Sequence, residues 1–358
     1  MLQRLLRPCA AVGLVLAAGC GPDQGPTTPS AAPSEGPALA QRLARVKIDG
    51  VINSNEWRDA ASLEFKVNAP EGLIPARLLA QRDDSHLYLA VVVQRPAGGA
   101  YTEADFEFDS DNDGVPFEQF DDAFGTVGTP GNSGCFDAYR AIDPFSSADL
   151  PDEGDGGTSD CTGALGGTAS TTTYEMRQPL NGGDVHDITL GKLLRQVGFE
   201  LDIVIPLRGS ASVPGSGEEA RTQVASFGKY CKMTVFPAAS LGPCPTGQVA
   251  SVRVTRNAST SQIGIITMNP HQADVFPLGL STYDYLGNPV TATCDWSSTD
   301  PAVVQVDAGG HLSTGDAVGS AVVIAACTTP GSSINTNGQV LVNYSPRDPT
   351  LEVGVFQP

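Results

Sequence analysis

Carboxylates are the side chains best placed to do chemistry in this sequence. Asp109, Asp111 and Asp113 alternate in a turn closed by Gly114, and Asp121 and Asp122 follow after a short excursion. Alternating carboxylates in a turn can converge their oxygens on one hard cation, so Ca2+ is the cofactor that this spacing suggests. The ligands would be those aspartates, with Asp137 as a more distant contributor. The twelfth position counted from Asp109 is Phe120 rather than Glu, and no flanking helices are evident, which argues against an EF-hand. A solvated acidic turn is the competing reading.

Nucleophilic and acid–base chemistry has little to work with. His86, His186, His271 and His311 are scattered along the chain, and no GxSxG or HExxH segment occurs. The carboxylates sit in turns without an evident acid and base pair, so the expectation is a protein that is not an enzyme.

The chain begins MLQRLLRPCAAVGLVLAAGC, with Arg4 and Arg7 ahead of an apolar run too short to span a bilayer. The small residues Ala17, Ala18 and Gly19 directly before Cys20 resemble the lipobox of bacterial lipoproteins, although Leu16 stands one place further from the cysteine than the usual leucine. That resemblance implies cleavage after residue 19, lipid attachment (diacylglycerol and palmitate) at Cys20, and membrane contact through the lipid. Gly21 follows where an aspartate would signal inner-membrane retention, so the implied address is the bacterial outer membrane, facing the periplasm or the cell surface. An ordinary signal with an incidental cysteine is the alternative. Residues 20–40 are rich in Pro, Ser, Thr and Gly and read as a flexible tether.

With Cys9 in the signal and Cys20 acylated, Cys135, Cys161, Cys231, Cys244, Cys294 and Cys327 remain, an even number in an oxidising compartment. Their spacing favours the sequential bridges Cys135–Cys161, Cys231–Cys244 and Cys294–Cys327, although six cysteines admit other pairings. No CxxC pair or His/Cys cluster supports a metal–thiolate site. Lys and Arg number 21 against 40 Asp and Glu, a formal charge of −19. Nucleic acid is thereby excluded as a partner, because phosphate binding needs clustered positive charge.

The positioning elements read as all-β. Ala38–Arg45 and part of Ile188–Gln196 could form short helices, but period-two alternation and Gly/Pro/Asp/Asn turns dominate elsewhere. Ser85–Gln94, Ala104–Asp109, Thr171–Met176 and Gly198–Pro206 are expected strands, with Phe106 and Phe108 on one face and Asp105 and Glu107 on the other. A Pro/Gly break at Gly242–Gly247 precedes a second strand set: Gln248–Thr255, Val275–Tyr283, Val290–Trp296, Val303–Val306, Ala321–Cys327 and Gln339–Tyr344. Two β-sandwich domains are expected, at 41–241 and 247–344, with a tail at 345–358.

Both domains resemble known families. Lys47-Ile48-Asp49-Gly50, Glu56-Trp57, Ala60 and Asp83-Asp84-Ser85-His86-Leu87-Tyr88 resemble the opening of family-9-type carbohydrate-binding modules and their DOMON-like relatives. Tyr174-Glu175-Met176, Pro179-Leu180 and Gly198-Phe199 extend the resemblance to about residue 206. Trp57 is large enough to close one end of a sandwich core. The second domain resembles bacterial Ig-like group 2 domains through Asp284–Val290, Trp296–Pro301, Val306-Asp307-Ala308 and Gly319–Ala325, and departs from them in carrying Cys294 and Cys327.

The first resemblance implies sugar binding, which usually needs an aromatic platform beside polar groups. Both tryptophans match structural motifs, leaving Tyr101, Phe117, Phe120, Phe124, Tyr139 and Phe145 as platform candidates and the binding residues unassigned. The resulting expectation is an envelope or cell-surface lipoprotein that binds glycan through the first sandwich, with the Ig-like domain as spacer or adhesion module. A structural or adhesive protein meeting a surface-protein ligand is the alternative. Haem held by Met176 and His186, as in some DOMON-like relatives, has no support from spacing.

Overall fold

The computed structural model describes residues 46–69, 72–95, 102–110, 122–142, 147–183, 187, 196–206, 219–223, 231–235, 238–242, 244–256, 263, 265–268, 276–332 and 335–344. Cys20, the tether, the tail and most of both helix candidates lie outside them. So do Asp111, Asp113, Asp121, His186, Tyr101, Phe117, Phe120 and Phe145.

The architecture is all-β, and no α-helix occurs among the described residues. In chain order the first half contains β1 (Ala61–Ala69), β2 (Gly72–Arg82), β3 (His86–Val93), β4 (Thr102–Asp109), β5 (Asp122–Thr129), β6 (Asn132–Ile142) and β7 (Ser147–Pro151). A 3-10 turn at Asp152–Asp155 follows, and then β8 (Thr162–Gly167), β9 (Thr172–Pro179), β10 (Gln196–Pro206), β11 (Glu219–Gln223), β12 (Cys231–Thr234) and β13 (Ser240–Leu241). They form a five-stranded sheet, β1-β2-β3-β9-β8, and an eight-stranded sheet, β13-β12-β10-β4-β5-β6-β7 with β11 also paired to β10.

Alternation explains why the two sheets stack. On β3, Leu87, Leu89, Val91 and Val93 enter the same apolar core as Ala104, Phe106 and Phe108 of β4 and Val197, Phe199, Leu201 and Ile203 of β10. Residues two apart on a strand share a face, so each strand contributes one apolar row to the space between the sheets. Phe106, Phe108, Phe124 and Phe199 cluster there with ring centroids 5.3–6.3 Å apart. Phe124 and Tyr139, both platform candidates by sequence, are core residues.

Trp57 does not join that core. It packs with Leu79, Tyr88 and Ala90 in a separate cluster on the outer face of the five-stranded sheet. Glu175 of β9 explains why the chain is held there. One of its oxygens, Oε2, accepts the backbone N–H groups of Asp49 (3.0 Å), Gly50 (2.7 Å) and Val51 (3.2 Å), and Oε1 accepts the Trp57 indole N–H at 2.9 Å. The Ile-Asp-Gly and Glu-Trp segments and the later Tyr-Glu segment therefore meet in one buried clamp. Their role here is to staple the N-terminal segment onto the sheet.

The second half comprises β14 (Ser251–Arg256), β15 (Ile265–Met268), β16 (Phe276–Tyr283), β17 (Thr293–Ser298), β18 (Val304–Val306), β19 (His311–Thr314), β20 (Gly319–Thr328) and β21 (Asn335–Tyr344). They form two four-stranded sheets, β14-β16-β19-β18 and β15-β21-β20-β17, in which only β15 and β21 pair in parallel. No described strand is shared between the halves, and the Gly242–Gly247 break lies between the two sets.

The bridges are Cys135–Cys161, Cys231–Cys244 and Cys294–Cys327, the set that sequential spacing favours. Cys294 and Cys327 stand directly opposite each other on neighbouring strands β17 and β20, so that bridge lies within one sheet and does not join the two.

Candidate functional site

The outer face of the eight-stranded sheet breaks the usual pattern of scattered polar side chains. Because Phe106 and Phe108 point inward, Asp105 and Glu107 point outward from β4, as the sequence predicts. Register then brings partners from 95 residues or so downstream: Asp202 of β10 lies directly opposite Asp105, and Glu200 opposite Glu107. The carboxylates of Asp105, Glu107 and Asp202 have oxygens within 4.8 Å of one another.

On the other side of β4 the same row continues through small residues to an aromatic ring. Asp105 faces Gly125 of β5, and Gly125 faces Phe136 of β6. An added Cβ at Gly125 would lie 2.6 Å from Cε1 of Phe136 and 2.6 Å from the Ala104 carbonyl oxygen, so the half-buried ring leans over bare backbone. In the next row Glu107 faces Ala123, and Ala123 faces Ala138. Small residues thus run between the carboxylates and the aromatic strand; the Phe136 ring covers Gly125, and Ala123, Ala138, Glu107, Glu200 and Asp202 are all buried. Phe136 is absent from the aromatic candidates that the sequence suggests. The bare Gly125 opposite it was the available signal, and it is legible only once the register is known.

Of the expected calcium ligands, Asp109 and Asp122 are described, and both are buried. Asp122 stands directly opposite the inward-facing Phe108, whereas Asp109 is the next residue along β4, so the two carboxylates start from opposite faces of the sheet. Asp137 lies elsewhere. It faces Phe124 across β5 and β6 and therefore points inward. There it forms a second carboxylate group with Asp160 and Asp187, whose oxygens are likewise within 4.8 Å of one another. Both acidic groups could hold a metal ion.

Burial pushes the pKa of Asp137 up to about 7, with the neighbouring carboxylates of Asp152 and Asp160 adding to the rise and the Asp160 N–H and Gln178 amide opposing it. A raised folded-state pKa stabilises the fold below the ordinary carboxylate value near 3.8, and that contribution is lost as pH rises through about 7. In chelator, the first sandwich should accordingly melt at a lower temperature at pH 8 than at pH 5. Thermal melts at the two pH values check this, and equal or reversed midpoints would contradict it.

A serine, a histidine and an aspartate also meet at the turn before β3. Ser85 Oγ is 2.7 Å from His86 Nδ1, and Asp83 Oδ1 accepts the Ser85 hydroxyl (2.9 Å) and the N–H groups of Ser85 (2.7 Å) and His86 (2.8 Å). Asp83 Oδ2 accepts the Tyr88 hydroxyl at 2.7 Å. A catalytic relay would have the carboxylate orient the imidazole while the imidazole faces the nucleophile. Here the carboxylate instead gathers the turn's own donors and locks the turn. Met176 is a fully buried core residue.

Fold and site together define a two-part, all-β protein whose first sandwich carries an acidic sheet face edged by an aromatic ring. No family model and no curated protein matches the chain. Among solved structures it is similar to a family 9 carbohydrate-binding module from Caldicellulosiruptor kristjanssonii in complex with cellotriose, at 15% identity and a TM-score of 0.31, over 50% of this chain and 78% of that one. The same module in complex with glucose gives 15% identity and a TM-score of 0.29, over 50% and 80%.

Proposed function

We propose that this chain is a non-enzymatic envelope lipoprotein that binds glycan on the outer face of its eight-stranded sheet. The single observation that carries the reading is the row Asp202–Asp105–Gly125–Phe136. A pyranose presents a C–H face and a rim of hydroxyls. The first stacks on an aromatic ring, and the second donate to carboxylates in charge-assisted hydrogen bonds. Phe136 lies over Gly125 beside Asp105, so the ring and the carboxylates adjoin on one face of the sheet. The small residues before Cys20 support lipid attachment at that thiol and an outer-membrane address, and the second half then serves as the spacer that holds the binding face away from its neighbours.

The test is binding of the mature protein to a broad glycan array, followed by calorimetry on the best ligand. Phe136→Ala should weaken binding by about 10- to 100-fold, roughly 1.4–2.8 kcal/mol, while the melting temperature stays within a degree or two. Silence across the array, or an unchanged affinity in Phe136→Ala, would overturn the proposal.

A further inference from the structure

We propose that Asp137, Asp160 and Asp187, together with the side-chain carbonyl of Gln178, form a closed calcium site at one end of the first sandwich, between its two sheets. The residues come from separate parts of the chain: Asp137 from β6, Gln178 from β9, Asp160 from the segment before β8, and Asp187 from beyond β9. None belongs to the acidic turn at Asp109–Asp113, and none lies on the outer-face row.

Three carboxylates gathered within 4.8 Å do not by themselves make a site, since acidic clusters are common on surfaces. The observation that points to a ligand is Gln178. Its side chain is 1% exposed, its Nε2 lies 3.5 Å from Asp137 Oδ2, and its Oε1 is buried with no hydrogen-bond partner. Asp137 is in the same position. It is 2% exposed, its Oδ2 accepts the Asp160 N–H at 3.1 Å, and its Oδ1 is buried without a partner. Two orphaned acceptors on neighbouring side chains, neither reachable by bulk water, would each cost about 1–3 kcal/mol. A cation between them repays both, and it relieves the repulsion among the carboxylates at the same time.

The neighbourhood is built to keep these oxygens together. Cys135 precedes Asp137 by two residues and Cys161 follows Asp160 directly, so the Cys135–Cys161 bridge ties the two ligand-bearing segments beside the site. Gly182 leaves bare backbone where a Cβ would collide with Asp187 Oδ2 and stand 2.8 Å from Asp160 Oδ2, so both carboxylates lean into the space that the glycine vacates.

The donor set identifies the ion. All donors are oxygens, with no imidazole or thiolate among them, which selects a hard cation over zinc or copper. Magnesium keeps several of its own waters and demands a regular octahedron. The buried oxygens of Asp137, Asp160, Asp187 and Gln178 leave little room for such waters and suit the looser, higher coordination of calcium.

The test uses the mature chain stripped of metal, by calorimetric titration and by melting in calcium, magnesium or chelator. Wild type should bind one calcium for this site, with the first sandwich's melting temperature rising by 5 °C or more in calcium and by less in magnesium. Asp187→Ala and Gln178→Leu, each checked for folding by circular dichroism, should lose that increment, and Asp105→Asn on the outer face should keep it. A response lost in Asp105→Asn but kept in Asp187→Ala would place the ion on the outer face and overturn the assignment. No heat of binding together with identical melts in calcium and chelator would overturn it as well. Because Phe136, the residue of the glycan test, points to the opposite face of β6 from Asp137, failure of either idea leaves the other readable.

Discussion

Replacing Glu175 with alanine should lower the melting temperature of the first sandwich by about 10 °C or more, the largest effect expected from one side chain in that half. Glu175 is fully buried and its two oxygens accept four donors: three successive backbone N–H groups and the Trp57 indole. Truncation strands the Asp49 and Gly50 N–H groups and the Trp57 indole, while the Val51 N–H keeps Asp49 Oδ1. Each buried donor left without an acceptor costs about 1–3 kcal/mol, and partial relaxation of the 46–60 segment reduces the sum to roughly 3–5 kcal/mol. For a domain of this size each kcal/mol moves the midpoint by about 2–4 °C.

Glu175→Gln separates charge from shape. It keeps one acceptor oxygen but turns an NH2 group toward donors, so it should recover only part of the loss. Asp49→Ala is the control, because the Asp49 side chain accepts only the exposed Val51 N–H at 3.1 Å. It should cost well under 1 kcal/mol, as surface substitutions usually do. The readout is a denaturation curve followed by Trp57 fluorescence. A Glu175→Ala midpoint within 2 °C of wild type would show that the clamp does not hold the segment.

How far the sequence reveals this molecule depends on whether a strand obeys hydrophobic alternation. Strand β20, Gly319–Thr328, alternates buried and half-buried side chains from Ala321 onward and is legible at once. Strand β3 is legible too, because it is apolar nearly end to end. Strand β6 is not. It turns Cys135, Asp137 and Tyr139 inward and Phe136 and Ala138 outward, so the acid is inside and the phenylalanine outside. That inversion hides both proposed sites, since a polar residue facing a core and an aromatic facing out are the exceptions by which function overrides folding pattern. Strand β2 is hidden for another reason. Pro75 argues against a strand, yet its carbonyl accepts the Gln94 N–H at 2.9 Å, and its missing N–H falls beyond the β2–β3 ladder, which begins at Ala76.

The pairing of Asp105 with Asp202 illustrates a third limit. Alternation within β4 shows that Asp105 and Glu107 share a face, and alternation within β10 does the same for Glu200 and Asp202. Nothing local says that the two strands are neighbours or in what register. Only the packed sheet brings those carboxylates together.

The two halves should unfold as one unit, and Arg253→Met should separate them. The edge strand β1 would otherwise offer unpaired N–H groups to any passing strand, a hazard that proteins cover. Here the second half covers it: the Lys66 N–H donates to the Tyr285 carbonyl at 2.8 Å, and Tyr285 packs against the first core. Behind that contact Arg253 of β14 is 3% exposed, and its Nη1 donates to Asn68 Oδ1 at 2.7 Å and to the Ala69 carbonyl at 2.9 Å. The Asn68 amide returns a bond to the Val252 carbonyl at 3.2 Å. Hydrogen bonds from a charged donor contribute about 1.5–3 kcal/mol each when both partners are buried. Methionine keeps the apolar stem of Arg253 and removes the charge with its bonds to Asn68 and Ala69. Calorimetry of wild type should show one cooperative transition, and that of Arg253→Met two, with the first sandwich melting earlier and the N–H of Lys66 exchanging faster. Asn68→Ala combined with Arg253→Met should cost less than the sum of the single changes, because both remove the Arg253–Asn68 bond. Two transitions already present in wild type, or fully additive losses in the double variant, would show that the halves are joined only by chain.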